Sequence, residues 1–309
     1  VKMLHFVIFK KTSKEKTINF LGLYHNIKKD PLSSDLYCVT GDLWKEMRLK
    51  LEPIFRPEII RALHNSCFNA EGQAHLLNAF DVALLMQPSV GISFVDVRPL
   101  VRRYVLASIA SSVFGLDVSL QARFPLDEFD AMTELALNQK RHGKFINRML
   151  QMYPTMGAKL GFAFTNRKAD KYFMELIANV VESREKMPAF SAPRDYLQLL
   201  IDIKTQETST HVSMNIGSEK SRQDEIKTLR DHLIRELAAH AFVFLREGLD
   251  PTTHTINCVL YELAQHDSLQ HQVRQEVRNA VVRSGGELSY ECIEQFQLMH
   301  KVILGEYGN

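Results

Sequence analysis

The chain has 309 residues, of which 45% are hydrophobic and 24% charged, and its formal net charge is +2 at pH 7. This composition excludes an intrinsically disordered protein, because such chains combine few apolar residues with a high net charge. It also argues against a nucleic-acid partner, since 38 Lys and Arg residues are balanced by 36 Asp and Glu residues and leave no net basic field.

The four cysteines, Cys38, Cys67, Cys258 and Cys292, form neither a CxxC pair nor a zinc-type spacing with histidine. Four cysteines in a chain of this length indicate a reducing, cytosol-facing compartment rather than a disulfide scaffold. No apolar run approaches the roughly 18 to 20 residues that a membrane-spanning helix needs.

In chain order, the spacing of apolar residues predicts a mainly α-helical protein with little strand. Residues 1–40 and 205–225 are polar and predict a loop and a linker, and residues 90–97 predict a short extended piece. Asp42 is the expected N-cap of the first helix, and Gly115 the expected end of the fourth. The predicted helices are residues 42–53, 57–63, 74–87, 98–115, 168–186, 196–204, 226–265, 267–282 and 290–304.

Trp44 and Arg48 lie four residues apart in the first of these helices. Positions i and i+4 share a helix face, so the indole N–H and the guanidinium would point in the same direction. Together they could donate hydrogen bonds to an anionic group such as a carboxylate. A half-buried Trp that only packs on the Arg side chain would give the same spacing.

The helix predicted over residues 226–265 would be about 60 Å long, at 1.5 Å per residue. Gly248 and Pro251 interrupt it, and Pro251 leaves the carbonyl of Glu247 without its backbone donor. A kink is expected there, beside the carboxylate of Asp250 and the hydroxyl of Thr252. The alternative is that the helix ends at Asp250 and Pro251 begins a new one.

Taken together, these segments resemble the cytochrome P450 monooxygenases, and most of all the microsomal, xenobiotic-metabolising type of insects. The resemblance covers about residues 20–304, with five motifs in the family's order and spacing. The first motif, the approach to helix C, comprises Gly22-Leu23-Tyr24, Asp30-Pro31-Leu32-Ser33 and Gly41-x-x-Trp44-Lys45-x-x-Arg48-x-x-Leu51-x-Pro53-x-Phe55. The others are Val113-Phe114-Gly115-Leu116 (end of helix E), Ser183-Arg184-Glu185-Lys186 and Asp195-Tyr196-Leu197-Gln198-Leu199-Leu200 (between helices G and H), and Ala241-Phe242-Val243-Phe244 through Gly248-Leu249-Asp250 to Leu260-Tyr261-Glu262-Leu263-Ala264 (helix I).

The resemblance implies site residues for haem (heme b, iron protoporphyrin IX). Trp44 and Arg48 would bind a haem propionate, and Gly248 would lie over the haem in the oxygen-binding groove. Asp250 and Thr252 would be the catalytic residues that deliver protons. The family has Thr directly after the acid, where this chain has Pro251, so Thr252 is displaced by one residue, about 100° around the helix.

The resemblance also implies a fold and a function. The fold would be an incomplete cytochrome P450 fold, from about helices B and C to J, in a single partial domain over residues 1–309. The N-terminal membrane anchor and the Phe-Gly-Cys-Gly module that carries the iron-ligating thiolate would be missing, so no metal ligand is assigned and this chain itself is expected to be inactive.

The parent protein would oxidise lipophilic small molecules with O₂ and electrons from an NADPH-dependent reductase. It would act at the cytosolic face of the endoplasmic reticulum membrane, in contact with the membrane surface and without nucleic acid. The alternative is a degenerate, non-enzymatic helical fragment or binding protein.

Overall fold

The computed structural model of the chain describes residues 30–33, 36, 41–62, 95–118, 126–138, 142–153, 160, 165–188, 193, 195–203, 219–286 and 288–305. Regular structure within these ranges is helical throughout, which confirms the prediction of a mainly α-helical fold. The predictions for residues 1–29, 37–40, 74–87, 90–94 and 205–218 lie outside the described residues. Val97, predicted as the end of an extended piece, is instead the first residue of a helix. None of the described helices combines the length and the apolar character that a bilayer crossing requires.

Eleven α-helices are described, labelled here in chain order. Short 3₁₀ turns occur at Pro31–Ser33 and Glu52–Phe55. The helices are α1 (Gly41–Leu51), α2 (Pro57–Ala62), α3 (Val97–Phe114), α4 (Leu126–Asn138), α5 (Lys144–Met152), α6 (Arg167–Glu185), α7 (196–203), α8 (Glu219–Gln265), α9 (Asp267–Arg283), α10 (Tyr290–Ile293) and α11 (Gln297–Leu304).

The predicted helix ends with the strongest local signals agree with the structure. Gly115 follows α3 with φ of +66°, in the left-handed region that glycine enters without strain. At the start of α6, the Asn166 side chain accepts a hydrogen bond from the amide of Lys168 at 3.0 Å. Gly285 and Gly286 form a turn after α9, with φ of +76° and +92°.

Three predictions about helix ends were wrong. Asp42 is not an N-cap, because α1 already begins at Gly41. The long helix α8 begins at Glu219, seven residues before the predicted start at Ile226, so its polar first turns had been taken for linker. It also continues through Pro251, so the alternative in which the helix ends at Asp250 is wrong too.

The helix predicted over residues 290–304 is broken into α10 and α11. The Ser289 hydroxyl caps the first by accepting from the amide of Cys292 at 3.2 Å. The carboxylate of Glu276, on α9, accepts from the amides of Leu298 and Met299 at 2.7 and 3.0 Å. A carboxylate from another helix thus satisfies the first amides of α11, which allows the chain to begin a separate helix there.

The chain divides into two compact units, one of Val1–Gly72 with Leu106–Gly248 and one of Gln73–Val105 with Leu249–Asn309. In the first unit, rings from α3, α4, α6 and α8 form an aromatic cluster with centroid distances of 5.3 to 5.9 Å. All four rings are buried, and edge and tilted contacts between such rings add to the stability gained by burying them. They belong to Phe114, Phe129, Phe173 and Phe242.

An ion pair is also buried in the first unit. Arg184, in the last turn of α6, binds Asp195 with distances of 2.8 Å from Nη1 to Oδ1 and 2.5 Å from Nη2 to Oδ2. The two side chains are only 5% and 4% exposed. Oδ1 of Asp195 also accepts from the amide of Gln198 at 2.9 Å, so the same carboxylate caps α7 and fixes the end of α6.

Candidate functional site

Helix α1 presents Trp44 and Arg48 on one face, as their spacing predicted. The guanidinium carbon of Arg48 lies 5.4 Å from the centroid of the Trp44 ring, and both side chains are half-buried. This distance is typical of a cation–π contact, which is also the packing that the alternative for this pair predicts. The pair therefore combines an indole N–H and guanidinium N–H groups close together, which is a suitable donor set for a carboxylate.

The segment that follows α1 packs against α8. Phe55 stacks on Phe244 with the ring centroids 5.7 Å apart and the ring planes within 10°. The ring of Tyr196 lies on Phe244 as well, with the centroids 4.2 Å apart. Phe244 precedes Gly248 by one helical turn, so these contacts hold the end of the Trp44–Arg48 segment beside the part of α8 that leads to Gly248.

Gly248 is buried, and the group that approaches it closely is a side chain of α3. A Cβ atom at this position would lie 3.3 Å from Cδ1 of Ile109. That distance is tighter than an ordinary van der Waals contact, so a larger residue would push α3 and α8 apart. The packing of Ile109 accounts for a glycine here whether or not a cofactor also lies nearby.

The turn around Pro251 carries charged and hydroxyl groups. Nε of Arg246 donates to Oε1 of Glu247 at 2.9 Å, and these side chains are 21% and 26% exposed. The Thr255 hydroxyl donates to the carbonyl of Pro251 at 2.9 Å. Because Pro251 has no N–H, the carbonyl of Glu247 has no backbone donor four residues later in α8.

Asp250 and Thr252, the predicted catalytic residues, are both exposed on α8. They belong to the second compact unit, whereas Trp44, Arg48 and Gly248 belong to the first. The structure thus brings Trp44 and Arg48 together and places Gly248 within a helix packing contact. The roles assigned to Asp250 and Thr252 stay predictions.

The described cysteines do not supply a thiolate of the expected kind. Cys258 lies within α8, where its Sγ is 3.5 Å from Nε2 of His254, and Cys292 is fully buried in α10. No group of three or more His, Cys, Asp or Glu side chains that could hold a metal ion occurs in the described part of the chain. Among the described residues, Trp44 and Arg48 therefore fit the carboxylate end of a haem, and neither Cys258 nor Cys292 is placed as its axial ligand.

Two side-chain pairs seen in the structure were not among the site residues predicted from the sequence. The Arg184–Asp195 ion pair lies within the motifs of the family resemblance, but the two residues are eleven positions apart in the sequence, so no local spacing rule indicates the contact. His254 and Cys258 are four residues apart on a predicted helix, so the same i, i+4 rule that paired Trp44 with Arg48 would have found them.

Comparison with known proteins identifies the family. The sequence profile of the family "Cytochrome P450" matches residues 2–304. The chain is 41% identical over 285 residues to a probable cytochrome P450 317a1 of Drosophila melanogaster, covering 92% of this chain and 52% of that protein. The chain belongs to the cytochrome P450 family, and its helical structure is consistent with the fold of that family.

More distant relatives agree with this assignment. Cytochrome P450 6a9 of Drosophila melanogaster is 29% identical over 282 residues, which cover 91% of this chain and 51% of that protein. Cytochrome P450 6A1 of Musca domestica is 29% identical over 283 residues, with 91% and 50% covered. The chain thus spans about half the length of the curated relatives that it matches.

Proposed function

We propose that the protein to which this chain belongs is a haem-thiolate monooxygenase that oxidises lipophilic small molecules with O₂. Electrons would come from an NADPH-dependent reductase. Family membership supports the reaction class, and the match over residues 2–304 supports one cytochrome P450 domain that includes both compact units. The Drosophila and Musca relatives support an insect type of the family, for which the endoplasmic reticulum membrane is the proposed location.

The observation that carries the proposal is the pair of donors on α1. Arg48 and Trp44 would bind a haem propionate, with the guanidinium held over the indole ring at 5.4 Å. When bound, the haem would supply the O₂ chemistry, in which a thiolate ligand favours cleavage of the O–O bond. The chain's own contribution at α1 is to bind the propionate and so fix the orientation of the cofactor.

On α8, the proposal assigns Gly248 to the wall of the oxygen-binding groove. Asp250 would hold or move a proton, and the Thr252 hydroxyl would stand in for the alcohol that Pro251 replaces. The lost backbone hydrogen bond at Glu247 favours a local opening of the helix, where water could reach the groove.

Cys258 and Cys292 are not placed as a haem ligand, and neither Cys38 nor Cys67 lies in a Phe-Gly-Cys-Gly module in the sequence. We therefore propose that these 309 residues on their own do not catalyse oxygen insertion.

A test is the titration of the purified 309-residue chain with ferric haem, followed by absorption difference spectra. Arg48→Leu should weaken haem binding about tenfold, since a charge-assisted hydrogen bond contributes about 1.5 kcal/mol or more. Lys45→Leu is the matched control, because Lys45 is an exposed cation of the same helix that pairs with Asp42 at 3.4 Å instead. The carbonyl complex of the wild-type chain should lack the absorption typical of a thiolate-ligated haem.

The alternative is a haem-free helical binding protein. The observation that favours it is the contact of Ile109 with Gly248, which explains the glycine by helix packing alone. On this alternative, Arg48→Leu and Lys45→Leu would bind haem equally, with the weak and non-saturating behaviour of a nonspecific apolar surface. A saturable site that only Arg48→Leu weakens excludes the alternative.

A membrane surface is the second partner that we propose. Helix α5 exposes apolar side chains at positions 145, 146, 149 and 152, a spacing that puts them on one side of the helix. The exposed cations Lys144 and Arg148 flank them. An apolar face bordered by cations is suited to the boundary between lipid headgroups and acyl chains, where a lipophilic substrate would also be found.

A further inference from the structure

His254 and Cys258 form an exposed pair on α8 that the proposed monooxygenase function does not use. They are one helical turn apart, and Sγ of Cys258 lies 3.5 Å from Nε2 of His254. Both side chains are exposed among the described residues, and both belong to the second compact unit. The sulfur atom of Cys258 and the ring nitrogen of His254 therefore lie side by side on the helix surface.

The distance between these two atoms matches the span across a tetrahedral zinc ion. Zinc lies about 2.3 Å from a thiolate sulfur and about 2.0 to 2.1 Å from a histidine nitrogen. With a tetrahedral angle between the two bonds, the sulfur and the nitrogen would be about 3.5 Å apart. The observed 3.5 Å would thus allow both atoms to bind one ion without a change in the helix.

The helix also holds the two ligands in place before the ion arrives. Residues 254 and 258 lie well inside α8, which continues to Gln265. Fewer bonds must therefore become ordered on binding than in a flexible loop, which favours affinity. The next carboxylate on this side, that of Glu262, lies 3.8 Å from Nδ1 of His266, so we do not count it as a ligand.

The spacing of His254 and Cys258 belongs to none of the zinc patterns sought in the sequence, but their side chains meet across one helical turn. We propose that they form a two-ligand site for a borderline-soft divalent cation of the zinc class. The thiolate and the imidazole each donate an electron pair to the ion, and the thiol proton passes to solvent. Water fills the remaining coordination positions, and no oxidation or reduction takes place. The proposal is independent of haem binding, because it rests only on the geometry of this pair.

The test uses Co²⁺ as a spectroscopic probe on the reduced, haem-free 309-residue chain. A thiolate-to-cobalt charge-transfer band should saturate at one ion per chain and disappear when an equimolar amount of Zn²⁺ is added. Cys258→Ser should abolish the band, and His254→Ala should weaken cobalt binding at least tenfold. Cys292→Ser, which changes the buried cysteine, and His266→Ala, which changes a neighbouring histidine, should leave the titration unchanged.

A second measurement covers the case in which a variant folds poorly. In the wild-type chain, Zn²⁺ should slow the alkylation of Cys258 by a thiol reagent at least tenfold, as mapped by mass spectrometry. A band that persists in Cys258→Ser would assign the ion to other cysteines and overturn the proposal. So would alkylation of Cys258 at an unchanged rate, which would show that the pair is only an S–H to nitrogen hydrogen bond.

Discussion

Gly115 ends α3 with φ of +66°, directly beside the buried Arg184–Asp195 ion pair. A Cβ atom added there would lie 2.6 Å from Oδ2 of Asp195 and would also overlap the guanidinium of Arg184. Gly115→Ala should therefore disturb both the backbone and the pair. We expect it to lower the free energy of unfolding by about 3–5 kcal/mol, the cost of breaking a buried ion pair.

Gly285→Ala is the matched control, because Gly285 has a similar φ of +76° and nothing within 4 Å of its added Cβ. This variant should lower the free energy of unfolding by about 1–2 kcal/mol, which is the cost of placing a residue with a Cβ atom in the left-handed region. Urea unfolding of both variants measures the difference. If both variants lost the same free energy of unfolding, the added methyl group would not disturb the Arg184–Asp195 ion pair.

The ionisation of the Tyr172 phenol should make the stability of the fold depend on pH in the alkaline range. Burial, and after it the charge of Glu128, raises the pKa of Tyr172 from its ordinary 10.0 to about 12. The unfolded chain thus releases this proton at lower pH than the folded chain does. The contribution to stability is fully present below pH 10 and is lost as pH rises through about 12.

Tyr172→Phe should remove this part of the pH dependence, so its melting temperature should fall less than that of the wild type between pH 10 and pH 12. Tyr153→Phe, at a tyrosine that is 51% exposed, is the control and should follow the wild-type curve. Parallel curves for Tyr172→Phe and the wild type would show that the phenol ionises equally in both states.

Residues four apart on one helix were predictable as neighbours, as Trp44 and Arg48 show, because helix geometry alone brings them together. Arg184 and Asp195 were not, since they meet only after α6 ends and the chain turns into α7. The contact of Gly248 with Ile109 of α3 was not predictable either, because the two residues lie on helices far apart in the sequence.

Among the elements, α11 depends on a carboxylate from α9. Glu276 accepts from the amides of Leu298 and Met299 at 2.7 and 3.0 Å. Glu276→Ala should therefore lower the free energy of unfolding by about 1–2 kcal/mol and should speed hydrogen exchange at those two amides. Glu276→Gln keeps one acceptor and should cost less. A loss no greater for Ala than for Gln would rule out the cap as a source of stability.

Pro251 interrupts the backbone hydrogen bonding of α8. Pro251→Ala would give the carbonyl of Glu247 a donor again, and we expect it to raise the free energy of unfolding by up to about 3 kcal/mol. Pro57→Ala is the control, because Pro57 is the first residue of α2, a position that favours proline. Thermal unfolding of both variants tests this, and a fall in stability for Pro251→Ala would show that packing of the proline ring outweighs the lost hydrogen bond.

The elements also show where sequence patterns lose information. Periodic apolar residues predicted α3, α6 and α9 to within one or two residues, because each buries one stripe. The first turns of α8 are polar and carry no such stripe, so their helical state was not visible. The break between α10 and α11 depends on Glu276, which lies outside that segment altogether.

At the scale of the whole molecule, the exposed apolar face of α5 predicts binding to anionic lipid vesicles. Phe145 is 77% exposed there, next to Met149 and Met152. Phe145→Glu should weaken vesicle binding about tenfold or more, since inserting an aromatic side chain contributes about 1.5–3 kcal/mol. Val282→Glu is the control, because Val282 is equally exposed on α9. Equal co-sedimentation of the two variants would exclude α5 as the contact.

The fold class and the family could both be predicted, since the class follows from the period of the apolar residues and the family from the order of five motifs. The extent of the proposed site could not be predicted from the sequence. The donors of the proposed site lie on α1, its Gly248 and Asp250 lie on α8, and no thiolate ligand is found among the described residues, so no local pattern contains the whole site. Composition argued against a nucleic-acid partner and against disorder but could not identify a substrate.

Helix α8 contains a stretch, 237–243, in which seven consecutive residues are buried. No side of the helix faces solvent in this stretch, so an inserted or deleted residue could not be accommodated at an exposed position. Inserting or deleting a single codon there would rotate every later side chain by about 100°, including the sequence from Phe244 to Asp250. Natural variation within this gene's lineage should accordingly change residues in this stretch by substitution and confine changes of length to other segments.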